Sequence, residues 1–203
     1  MKNNNFLKFV FYFIAGMVIF AVYIYITDYT DSKDTFKDDR DGKKYGIVKI
    51  GSQTWMAKNL SYSTSKTGCY DNESDNCVKY GRLYDWENAM KSCPKGWHLP
   101  TEKEWEALVK FAGEDAIKKL LAQSLSHGGT NELGFSALLG GYWNSQYNFK
   151  AKDTSSYWWS ATEYDKESAS AFLISINAGK GLGWQNINTP EKSDMLSVRC
   201  IHN

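Results

Sequence analysis

At 203 residues, 42% hydrophobic and 15% aromatic, the chain is long enough for one domain with a substantial core, and no segment repeats another. Its 24 basic against 23 acidic residues leave a net charge of +1, which supplies no broad positive field for a phosphate backbone and sets nucleic acid aside as a partner. Eight Trp and thirteen Tyr are a rich share, of a kind found both in sugar-contacting and in tightly stapled extracellular modules.

Phe9 to Ile26, "FVFYFIAGMVIFAVYIYI", carries no charge over 18 residues, which as a helix spans about 27 Å and nearly matches a hydrocarbon core. It reads as one transmembrane helix. Bulky Tyr23 to Thr27 and then Asp28 stand where a small-x-small cleavage site belongs, so an uncleaved anchor is expected over a cleaved signal sequence. Lys2 and Lys8 precede the span while Asp28, Asp31 and Asp34 follow it. The positive-inside rule then leaves residues 1–8 in the cytoplasm and the rest periplasmic or extracellular. Residues 27–44, mixed in charge and almost free of aliphatics, are expected to form a solvated stalk, with an exported domain over 45–203. "DDRDG" does not make a calcium loop: aligned on Gly42, the first ligand position falls on Lys37 and the bidentate glutamate position on Val48.

Two β-rich runs, Ile47 to Ile50 and Gln53 to Met56, flank Gly51-Ser52 and predict a hairpin. Cys69, Cys77, Cys93 and Cys200 all fall on the exported side, where two disulfides are expected. Of the three possible pairings, the one with a local and a long bridge joins Cys69 to Cys77 and Cys93 to Cys200. Zinc fits less well, since there is no C-x2-C pair and His98, His127 and His202 are scattered. No motif calls for a metal or a cofactor.

Leu83, Trp86, Ala89 and Met90 fall at helical spacing within "YGRLYDWENAMKSC". Thr101 and Glu104 form a capping box, followed by the apolar stripe Trp105, Leu108, Val109 and Ala112 and a stop at Gly113. A further short helix is expected over Glu114 to Gln123. The five glycines of "GGTNELGFSALLGGYWNSQ" predict irregular loops. Three β-like runs close the chain: "YWWSATEY", "AFLISINAG", in which Phe172, Ile174 and Ile176 alternate with Ala171, Leu173 and Ser175, and "LSVRCIH". A hairpin, two or three short helices, glycine-rich loops and a terminal antiparallel sheet make an α+β domain.

Six stretches in order, "DGKKYGIVKIGSQTWMAKNLSY", "YGRLYDWENAM", "CPKGWHLPTEKEWEAL", "GFSALLGGYW", "YWWSATE" and "SVRC", resemble the Fibrobacter succinogenes major paralogous domain, an exported bacterial family, over about Thr35 to His202. That family is similar in turn to the formylglycine-generating enzyme group and to C-type-lectin-like domains. The resemblance implies a C-type-lectin-like α+β fold and supports the Cys93–Cys200 pairing. Formylglycine-generating enzymes use a reactive cysteine pair late in the chain, whereas Cys200 is the only late cysteine here. Calcium-dependent lectins carry an acid after Trp-Asn, whereas "YWNS" has Ser145 there.

The loop stretches Tyr142, Trp143, Asn144, Gln146 and Trp184, Gln185, Asn186 set aromatic rings beside amides, which suits a sugar: rings stack on C–H faces and amides bond hydroxyls. The bland alternative is that these aromatics pin down long loops. Glu163, Asp165 and Glu167 read as a polar turn rather than a glycosidase pair, and no Ser-His-Asp or Cys-His set stands out. The expectation is a non-catalytic envelope module that binds a polysaccharide or glycan. The alternative is a structural or protein-interaction module of the envelope. An enzyme related to the formylglycine-generating group would need a free thiol.

Overall fold

A computed structural model describes residues 34–123, 128–146, 148–176 and 189–203. The expected transmembrane helix at 9–26 and the first part of the expected stalk lie outside them. Among the described residues no helix is long and apolar enough to cross a membrane.

The strands are β1 (Asp34–Lys37), β2 (Lys44–Ile50), β3 (Gln53–Met56), β4 (Thr67–Gly68), β5 (Leu83–Tyr84), β6 (Trp97–His98), β7 (Gly140–Asn144), β8 (Asn148–Lys152), β9 (Ser155–Glu163), β10 (Ala169–Ser175), β11 (Leu196–Ser197) and β12 (Ile201–His202). The helices are α1 (Ser74–Tyr80), α2 (Trp86–Ser92), α3 (Glu102–Ala112) and α4 (Ala116–Leu120), with a short 3-10 turn at Tyr70–Asn72. One sheet runs β1-β2-β3-β12-β6; a second runs β4-β5-β11-β9-β7-β8, with β10 on β9. The α+β class holds.

Four expectations need correction. Residues 34–44 are not stalk. Phe36 in β1 packs on Trp97 with centroids 5.2 Å apart, and buried Asp38 accepts from Arg40 Nε and Nη2 at 2.9 and 2.7 Å. Paired charges and one aromatic thus give a polar-looking run enough contacts to fold against β2. The terminal sheet is not purely antiparallel, because β11 and β7 both run parallel to β9. Four short helices are described rather than two or three, the extra one arising inside the Cys69–Cys77 loop. Finally, "GGYWN" is strand β7, not irregular loop.

The rest follows the local chemistry. Gly51-Ser52 turns β2 into β3. Asp85 caps α2, which begins only at Trp86, since Leu83 and Tyr84 pair with β11 instead. Thr101 and Glu104 form the capping box of α3, and Trp105, Leu108 and Ala112 are buried along its inner face. "LSVRCIH" breaks at Val198–Cys200, so that β11 joins one sheet and β12 the other.

Strand β9 shows how the core divides. Side chains alternate along a strand, so neighbouring Trp158 and Trp159, both fully buried, enter different clusters. Trp158 joins Trp55, Trp105, Phe135 and Phe172, with Trp105 stacked on Phe172 at 4.5 Å. Trp159 joins Met56, Tyr84, Trp97 and Leu196. Cys93, just after α2, is bonded to Cys200, just before β12, across 107 residues.

Candidate functional site

Of the seven expected contact residues, Tyr142, Trp143, Asn144 and Gln146 come together on the β7–β8 hairpin, while Trp184, Gln185 and Asn186 lie outside the described residues. The hairpin pairs Tyr142 with Lys150, Trp143 with Phe149 and Asn144 with Asn148. Its turn is built by Asn144, whose Oδ1 accepts from the Gln146 N–H at 2.9 Å, the local bond that suits Asn to turns.

Each residue has a distinct setting. Tyr142 is half-buried and meets Tyr157 of β9 with ring centroids 4.6 Å apart, tilted by 57°. Burial, with a smaller part from Tyr142, raises the Tyr157 hydroxyl pKa. Trp143 is half-buried, and its backbone exchanges two 3.0 Å hydrogen bonds with Met195. Asn144 donates from Nδ2 to Asp194 Oδ1 at 2.9 Å. Burial raises the Asp194 carboxyl pKa, and the Asn144 bond offsets it only in part. Both ends of the Asn144 amide therefore have partners within the protein. Gln146 is exposed at the turn.

The hairpin is thus a strand pair with half-exposed rings and a polar turn, fastened to the segment before β11. It can present aromatic surface and side-chain amides to a ligand. Tyr157 was not legible as a site residue because "YWWSATE" reads as core strand; only the alternation around Trp158 tells that Tyr157 shares the Tyr142 face.

Elsewhere, polar groups are tied into turns. Lys192 Nζ bonds Glu163 Oε1 and the carbonyls of Asp165 and Lys166, and Asp165 Oδ1 accepts from the N–H groups of Glu167 and Ser168. His98 sets one ring nitrogen 2.8 Å from Glu104 Oε1 and the other 2.6 Å from Asn203 Oδ1. All four cysteines are in disulfides, Cys69 with Cys77 and Cys93 with Cys200. Among the described residues no group of three or more His, Cys, Asp or Glu is placed to hold a metal ion.

These features define an α+β module stapled by two disulfides. The chain belongs to the Fibrobacter succinogenes major domain family, whose model matches residues 48–202. No curated protein and no solved structure matches it.

Proposed function

We propose that the chain is a membrane-anchored, non-catalytic module of the cell envelope, with a C-type-lectin-like domain that binds a polysaccharide or glycan through the β7–β8 hairpin. The observation that carries this reading is half-exposed Trp143 near the polar turn that holds exposed Gln146, with half-exposed Tyr142 on the opposite face of the same hairpin, since a flat ring beside amides matches the C–H faces and hydroxyls of sugars. Asn144 serves this hairpin as a positioning residue through its bonds to Gln146 and Asp194. The uncharged run at 9–26 supports the anchor, and the two disulfides support an oxidising compartment outside the cytoplasm. Engagement of every cysteine favours binding over formylglycine-type chemistry, which needs a thiol.

A second reading is a structural or protein-interaction module of the envelope with no small ligand, in which exposed apolar side chains such as Val78 or Phe111, 77% and 57% exposed, would be covered by a protein partner. The two are separated by a pull-down of the full chain in detergent with insoluble cellulose, xylan, chitin and peptidoglycan, with and without calcium. Retention on one polysaccharide supports the first reading. Failure of the folded protein to bind any of them overturns it in favour of the second.

A further inference from the structure

The stretch from Cys69 to Tyr80 lies outside the expected contact residues, yet both its ends press on the hairpin that carries them. At its start, buried Tyr70 meets Phe149 of β8 with centroids 5.0 Å apart. Lys152 Nζ stands 5.1 Å from the centre of the Tyr70 ring and 3.7 Å from Asp71 Oδ2. A Cβ on Gly141 of β7 would lie 2.6 Å from Tyr70 Cε2, so the ring is wedged against the strand backbone. At its end, Tyr80 donates its hydroxyl to Asp153 Oδ1 at 3.2 Å and covers Gly140, where a Cβ would come within 3.0 Å of Tyr80 Cβ.

Between these ends the bridge closes a short loop. Asp71 and Asn72 take φ of 54° and 59°, the left-handed region that Asp and Asn adopt more readily than other non-glycine residues. Asn76 Nδ2 donates to the Tyr70 carbonyl at 2.8 Å, and the Cys69 and Cys77 Cα atoms are 4.9 Å apart. Without the bridge the same residues sample many more conformations, few of which keep Tyr70 against Gly141.

We propose that residues 69–80 form a clamp that sets the position of the β7–β8 hairpin. Tyr70 is its positioning residue, and the Cys69–Cys77 bond is what keeps the clamp closed. The ligand site therefore depends on a disulfide placed outside its own contact residues. This rests on reading the hairpin as the binding element.

The test compares the full chain in detergent with three variants: Cys69→Ser with Cys77→Ser, Tyr70→Ala, and Tyr70→Phe. Hydrogen exchange and retention on whichever polysaccharide holds the parent are measured together. The first two variants should exchange amides about tenfold faster across 140–152 and leave α3 and the β2–β3 hairpin unchanged. Their binding should fall by about tenfold or more, and Tyr70→Phe, which keeps the ring, should recover most of it. Unchanged exchange at 140–152, equal acceleration everywhere, or a loosened hairpin with undiminished binding each overturns the clamp. A parent that binds no polysaccharide counts against the proposed function, while the exchange pattern still decides whether the clamp sets the hairpin.

Discussion

Arg199 is 1% exposed and has no carboxylate within ion-pair distance among the described residues. Its Nε and Nη2 donate to Asn59 Oδ1 at 3.0 and 2.7 Å, its Nη1 donates to the Phe135 carbonyl, and its guanidinium lies 4.3 Å from the centre of the Phe135 ring. The same Asn59 oxygen accepts from Trp158 Nε1 at 2.7 Å, while Asn59 Nδ2 donates to the Tyr80 carbonyl. Burial lowers the guanidinium pKa, the direction expected of a charge held by neutral acceptors. One amide thus satisfies a buried cation, an indole and a helix end. Asn59→Ala should destabilise the domain by about 3–5 kcal/mol, since it strands a buried charge; urea unfolding would show a lower midpoint at unchanged slope. A loss within about 0.5 kcal/mol would mean that the hub does not hold the core.

Glu104 makes a pH-dependent contribution at the same scale. Burial raises its pKa, but bonds from the Thr101 N–H and hydroxyl and from His98 outweigh it, and the net lies below its ordinary 4.5. A carboxyl with a depressed folded pKa contributes stability that is complete above its unfolded value and is lost as pH falls through the folded one. Glu104→Gln should therefore melt about 2–4 °C lower than the parent at pH 7, the worth of roughly 1 kcal/mol of capping. That gap should close as the pH falls below 4.5. A gap that persists into acid would show that the amide fails for a reason other than charge.

At the scale of elements, the parts with local signatures were legible and those made by distant contacts were not. The β2–β3 hairpin announces itself through Gly51-Ser52, and α3 through Thr101, Glu104 and Gly113, because turn and cap chemistry acts within a few residues. Strand β1 was hidden because it is held by Phe36 on Trp97, 61 residues away, and by an Arg40–Asp38 pair that looks like solvated charge. The Gly140–Gly141 pair was visible but admits two meanings, loop punctuation or close backbone approach. The structure shows the second: Gly141 has φ +71°, and a Cβ there would lie 2.3 Å from the Lys150 carbonyl oxygen. Gly141→Ala should cost about 3 kcal/mol or more, from the positive φ and the overlap together. Thermal unfolding measures it, and an unchanged melting temperature would show that the hairpin backbone is not confined as described.

For the molecule as a whole, the two bridges have different work. The one closing 107 residues ties the end of α2 to the start of β12, and a loop of that length is worth about 4–5 kcal/mol in the chain-entropy model. The one closing 8 residues acts locally, beneath the hairpin. The arrangement is a core with its middle stapled to its last strand, and with the β7–β8 hairpin at one end of the second sheet bearing half-exposed rings. Four of the seven expected contact residues fall on this hairpin because they are close in sequence, in "YWNSQ"; Tyr157 and Asp194 had no such signal, since each meets the hairpin only through the fold. Binding to the best-retained polysaccharide, titrated for the full chain and for Trp143→Ala alongside their melting curves, tests the proposed role of the hairpin most directly. Affinity should fall by about tenfold or more in the variant, with the melting temperature lower by no more than about 2–4 °C. Equal affinity in a folded Trp143→Ala protein would contradict the hairpin as the binding element.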